Sequence, residues 1–198
     1  MSLLFLPGAS GNREFWQPVA AALSDLGDSR VLGWPGFGGV PHDPAITSFD
    51  DLVSFAQRML TTECHLIAQS MGCVVAMRLA LESNLVRGMV LVAPAGGIDM
   101  QGFGARDWRP GASAWHRPGS PAHFIDETRD YSTQIGQITC PALIVSGDRD
   151  ALSPPSVGQR ISALLPASEH FVVAGGEHDL GSRYADVIAP KIRAFLTR

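Results

Sequence analysis

The sequence predicts an α/β chain, with a doubly wound, mostly parallel sheet of about six strands covered on both faces by helices. Three observations lead there. Apolar runs of strand length alternate with helix-length amphipathic stretches along most of the chain. The 21 glycines and 14 prolines gather between these runs without a repeat period. Apolar residues make up 45% of the 198 positions and charged residues 17%, enough to fill one core and too apolar for wholesale disorder.

The elements follow in order. Leu3–Leu6 is an uninterrupted apolar run, as expected of a strand buried on both faces. Phe15–Leu26 carries apolar residues at helical spacing, and Arg30–Leu32 is a short second strand. Asp50–Thr61 opens with acidic residues, as a helix N-terminus favours. His65–Ala68 is a strand running into a helix at Met71–Glu82, and Gly88–Val92 is the next strand. Ala142–Ser146 and His170–Val173 complete the strands, with helices at Pro155–Leu165 and Tyr184–Leu196; Pro155 suits the first turn of its helix. Each βαβ step should cross over right-handed.

One stretch breaks this rhythm. Residues 94–140 hold no clean strand, many glycines and prolines, and Phe103, Trp108, Trp115, Phe124 and Tyr131. A long structureless connection inside a compact domain is expected to serve as a lid or binding loop. The organisation expected is one domain over residues 1–198 with 94–140 as a lid insertion, Asp126–Ile135 forming a short helix within it.

Charge and composition exclude several classes. Fifteen Lys and Arg against nineteen Asp and Glu give a formal charge of −4, the wrong balance for a dedicated nucleic-acid binder. No apolar run reaches the roughly 20 residues of a membrane span, so no membrane insertion is expected. The N-terminal apolar run lacks a basic leader and is too short for a secretory signal, which points to the cytoplasm. Three cysteines (Cys64, Cys73 and Cys140) without CxxC spacing read as reduced, mostly buried thiols. Neither a metal site nor a cofactor is expected, because the glycines match no nucleotide-binding pattern. No heptad pattern fixes an oligomeric state.

The chemistry concentrates in three places. In His65-Leu66-Ile67-Ala68-Gln69-Ser70-Met71-Gly72, an apolar strand runs into a small-x-Ser-x-small turn and then a helix. This puts the Ser70 hydroxyl on a sharp corner at the sheet's C-terminal edge, beside free N–H groups of the helix N-terminus. The bland alternative is that Ser70 caps a helix. After the fifth strand comes Gly147-Asp148-Arg149-Asp150, and after the sixth Gly175-Gly176-Glu177-His178. Ser, Asp and His thus follow in the order of a hydrolytic triad, all at one sheet edge. Of the six histidines only His178 occupies the expected turn. Asp150 is preferred as the acid, with Asp148 as competitor and Asp99 a distant third. Oxyanion N–H groups are expected from Met71 and, in the Pro7-Gly8-Ala9-Ser10 loop, from Ala9. Trp34, Phe37, Trp108 and Trp115 are candidate substrate-wall residues, with ordinary packing as the competing role.

Leu6-Pro7-Gly8, Phe15-Trp16, Trp34-Pro35-Gly36-Phe37-Gly38, Gln69-Ser70-Met71-Gly72, Gly147–Asp150 and Gly176-Glu177-His178 together resemble the α/β-hydrolase superfamily, in its small single-domain serine esterase-like members. Ala68 stands in place of the motif's first glycine, Pro7 where a His is usual, and Cys73 where another glycine is frequent. The resemblance implies the α/β-hydrolase fold and a serine hydrolase cleaving a carboxylic ester or thioester of a small acyl substrate through an acyl-enzyme. The alternatives are cofactor-free perhydrolase or haloperoxidase-like chemistry, acyl transfer or C–C bond hydrolysis, and, from another class, a non-catalytic binding module.

Overall fold

The computed structural model describes residues 1–114, 116 and 120–198. Six strands form a single sheet: β1 (Ser2–Leu6), β2 (Asp28–Val31), β3 (Cys64–Gln69), β4 (Val86–Val92), β5 (Ala142–Gly147) and β6 (Ser168–Val173). Their order is β2-β1-β3-β4-β5-β6 and every pairing is parallel. The strand order reverses direction between β1 and β3, so a crevice opens beyond their carboxyl ends.

The sheet splits the core by strand alternation. Leu4, Leu6, Leu66, Ala68, Leu91 and Ile144 face one layer, packed under α2 (Phe49–Arg58), α3 (Gly72–Glu82) and α6 (Pro155–Leu164). Leu3, Phe5, Ile67, Val90, Leu143 and Val145 face the other, under α1 (Gln17–Ala22) and α8 (Ala185–Leu196). Both faces are covered, which is why the central strands read as continuous apolar runs. The thiols of Cys64 and Cys73 are buried and that of Cys140 half-buried, all unbridged.

Local chemistry sets the ends. Ser48 caps α2, its hydroxyl accepting from Asp51 N–H at 3.1 Å. The single helix expected over Phe15–Leu26 is three pieces: a 3-10 turn at Arg13–Trp16, α1, and a second 3-10 turn at Ser24–Leu26. Pro18 in the first turn of α1 has no N–H to continue a ladder from the preceding turn. The second strand lies slightly earlier than expected, with Leu32 N–H still bonded to Phe5 C=O.

The connection between β4 and β5 holds 3-10 turns at Gln101–Phe103 and Arg109–Ala114 and two one-turn helices, α4 (His123–Asp126) and α5 (Ser132–Ile135). A single helix over Asp126–Ile135 does not form. Asp130 instead makes an isolated bridge with Gly97, and Tyr131 N–H bonds Gly97 C=O at 2.8 Å. That pairing holds the backbone extended between the two helical turns. The last helical turn before α8 is α7 (Leu180–Arg183).

Candidate active site

The turn after β3 is strained. Ser70 has φ +55°, a left-handed conformation that a side chain disfavours by about 1–2 kcal/mol. It is held there by Ser70 N–H donating to Val92 C=O and Cys73 N–H donating to Ser70 C=O, both 3.0 Å. Two glycines make the corner possible. A Cβ on Gly72 would lie 2.4 Å from Pro7 O, so α3 can start close to the β1 loop only without one. A Cβ on Gly8 would lie 2.3 Å from Gln69 Oε1 and 3.2 Å from Ser70 Cβ. Ala68, by contrast, is fully buried with its methyl accommodated.

Loops from two other strands converge on this corner. His178 Nε2 lies 3.1 Å from Ser70 Oγ, and His178 Nδ1 lies 2.7 Å from Asp150 Oδ2. With the proton on Nδ1, the ring donates to the carboxylate and presents Nε2 as an acceptor to the serine hydroxyl. Asp150 is buried, and its other oxygen accepts from the N–H groups of Leu152 (2.8 Å) and Ser153 (3.0 Å). Close packing of the two loops relies on Gly147, whose Cβ would meet Gly176 O at 2.3 Å.

The competing carboxylates stand elsewhere. Asp148 accepts from Gly175 N–H at 2.7 Å, stitching the β5 loop to the β6 loop rather than reaching His178. Asp99 accepts from Gly102 N–H at 3.0 Å. The other histidines do not join the constellation: His123 bonds Ile46 C=O and His170 bonds Ser146 Oγ. Burial pushes the imidazoles of His65, His123 and His170 below their ordinary value.

A cavity of about 350 Å³ opens over Ser70, lined among others by Ala9, Phe15, Trp108, Leu152 and His178. Ala9 thus lies on its wall, and Met71 is the N-cap of α3. Among the described residues neither backbone N–H is engaged by another group. The aromatic candidates separate. Trp108 lines this cavity. Trp34 does not: it is fully buried, donates from Nε1 to Pro7 C=O at 2.9 Å and packs edge-on against Phe124. Phe37 is likewise buried against Phe124 and borders a different hollow beside Ser10 and Gly38. Both therefore support the β1 loop from behind instead of facing Ser70. Trp115 lies outside the described residues.

Ser153 was not evident from the sequence. Fully buried, it donates from Oγ to Pro94 C=O at 2.6 Å while its N–H holds Asp150. The only signal was its place three residues after the acid. Among the described residues, no cluster of three or more His, Cys, Asp or Glu side chains gathers as metal ligands do.

A family model described as "Alpha/beta hydrolase family" matches residues 3–137, taking in Ser70 but stopping before the loops that carry Asp150 and His178. A protein of Variovorax paradoxus (strain S110), provisionally named carbamate hydrolase RutD, is 27% identical over 246 residues, covering all of this chain and 92% of that one. Among solved structures, a bromoperoxidase from Bacillus anthracis superposes with a TM-score of 0.80 at 16% identity, covering all of this chain and 92% of its own. A thermophilic esterase from Thermogutta terrifontis superposes at 0.76 and 18% identity, over 99% of this chain and 89% of its own. At such identities the structures establish a shared fold. With the six-stranded parallel sheet and a family match over more than half its length, the chain belongs to the alpha/beta hydrolase family.

Proposed function

We propose that the protein is a serine hydrolase that cleaves a carboxylic ester or thioester through Ser70, His178 and Asp150. The observation that carries this reading is the hydrogen-bonded chain from Ser70 Oγ through both nitrogens of His178 to the buried Asp150 carboxylate. Ser70 Oγ attacks the substrate carbonyl carbon while His178 Nε2 takes the hydroxyl proton. Asp150 holds the ring in the required tautomer and stabilises the imidazolium. The N–H groups of Met71 and Ala9 hold the developing oxyanion. The C–O or C–S bond then breaks, and His178 returns the proton to the departing alcohol or thiol. Water, deprotonated by His178, attacks the acyl-enzyme and releases the acid and Ser70. Trp108 bounds the acyl or alcohol part, and residues 94–140 act as the lid.

The provisional carbamate-hydrolase name of the relative keeps a C–N bond in view, since the same attack on a carbamate carbonyl would expel an amine or ammonia. Labelling with a fluorophosphonate, read by intact mass, tests the mechanism with little demand on substrate. A single adduct on the folded protein, absent in Ser70→Ala, is expected. No adduct on protein shown to be folded, with a small sulfonyl fluoride failing too, would remove the serine nucleophile. Parallel hydrolysis of matched ester, thioester and carbamate substrates then ranks the bond types.

A further inference from the structure

The Ser70 cavity meets a second one. A hollow of about 270 Å³ lies alongside, and Trp108 and Leu152 line both. Its walls come from the turn after β4 and from the stretches around Met100–Arg109 and Glu127–Arg129. The Arg109 guanidinium lies over the Trp108 ring, 5.2 Å from its centroid, and donates to the carbonyls of Ile125 and Glu127. The two hollows thus adjoin at Trp108 and Leu152.

The charged groups of this second hollow are satisfied, with one exception. Glu127 is paired with Arg129, which also reaches Asp50. Asp107 is paired with Arg109, and Asp99 accepts the Gly102 N–H. The Arg106 guanidinium has no ion pair or hydrogen bond among the described residues. Its backbone is nevertheless pinned, Arg106 N–H donating at 2.7 Å to the carbonyl of Ala151, the residue following Asp150. Arg106 is exposed and lines the same hollow as Ile98 and Met100; a planar cation without a protein partner, registered to the acid loop beside apolar wall, suits a carboxylate on an aliphatic chain.

We propose that this hollow is a distal substrate subsite, and that the preferred substrates are esters or thioesters whose acyl chain ends in a carboxylate recognised by Arg106. This rests on the serine-hydrolase reading above. The reacting carbonyl sits at Ser70, the methylenes cross the indole of Trp108 and Leu152, and the terminal carboxylate meets the guanidinium as a two-point pair.

Three p-nitrophenyl esters of one six-carbon chain length test it: a neutral hexanoate, a carboxylate-ended adipate monoester and an ammonium-ended 6-aminohexanoate. The wild type is expected to favour the carboxylate-ended ester over the neutral one at least tenfold in kcat/KM. Arg106→Gln should collapse that ratio to near one, and Arg106→Lys should keep part of it. A wild-type ratio at or below one, a preference for the ammonium-ended ester, or a ratio unchanged by Arg106→Gln would overturn the subsite. Fluorophosphonate labelling of the same samples separates the two claims. An adduct without tail preference sinks only the subsite, whereas no adduct and no turnover of any ester sinks the hydrolase reading and the subsite with it.

Discussion

Ser153 shows how the proposed chemistry depends on a residue that need not touch substrate. Its N–H helps fix Asp150, and its hydroxyl ties the acid loop to Pro94, one residue after Ala93, itself at φ +46°. From the same turn, Ala95 N–H reaches Ser70 C=O at 3.3 Å. One side chain thus links the acid loop to the serine corner. Ser153→Ala leaves the buried Pro94 carbonyl unsatisfied, a loss of about 1–3 kcal/mol of stability. Turnover of a simple ester should fall roughly tenfold as Asp150 loosens its hold on His178. Denaturant melts and a pH profile of kcat check both, the profile separating a displaced base from a merely softened fold. Gly72→Ala is expected to be worse, by more than about 2 kcal/mol, because its new methyl would meet backbone at Pro7 rather than a flexible side chain. Loss of soluble or labelled protein for Gly72→Ala beside unaffected Gly111→Ala, where nothing lies within 4 Å and the backbone is not left-handed, is the comparison to make.

Among elements, the 94–140 connection is fastened to the sheet's helices by a polar cluster. Asp50 in the first turn of α2 accepts from Arg78 of α3 at 2.8 Å and from Arg129 at 2.8 Å. Arg129 also holds Glu127, and Tyr131 Oη bonds both Glu127 and Arg78. The guanidinium of Arg129, then that of Arg78, pulls the Asp50 carboxyl down to about 2. Because the folded value lies below the ordinary value of 3.8, its stabilisation is present above about pH 4 and lost as pH falls toward 2. The carboxylate is half exposed, so its share is a few tenths of a kcal/mol to about 1. The gap in melting temperature between wild type and Asp50→Asn should therefore be positive at pH 5 and close by about pH 2. A gap that stays constant across that range would deny Asp50 this role.

For the molecule as a whole, the same linkage predicts weakening on mild acidification. His65, His123 and His170 are held neutral by burial, with values below the ordinary 6.5. The unfolded chain takes up protons first, so stability is full above about pH 6.5 and declines as pH falls below it. Thermal melts at pH 7, 6 and 5 should descend in that order, and a flat series would contradict it. His65 contributes most plainly, since its Nδ1 is buried without a hydrogen-bond partner among the described residues.

The parallel sheet and its alternation with helices were legible because they rest on local pattern: runs such as Leu3–Leu6 and Ala142–Val145 must be buried on both faces, whatever the rest of the chain does. Ser70, Asp150 and His178 could be picked out for a related reason. Each lies in the connection that follows a strand, and parallel strands deliver all such connections to one edge. Pattern preferred Asp150 over Asp148, two residues apart, with no contact to decide between them, and it did not rank Trp34 against Trp108, both in glycine- and proline-rich loops. Only the assembled structure turned Asp148 toward Gly175 and Asp150 toward His178, and buried Trp34 against Pro7 while setting Trp108 in the wall of the cavity over Ser70. Those outcomes depend on contacts between residues far apart in sequence, which no local period encodes. The sequence by itself therefore determined the architecture and the edge at which chemistry would gather. Tertiary packing decided which carboxylate meets His178 and which aromatic lines the cavity over Ser70.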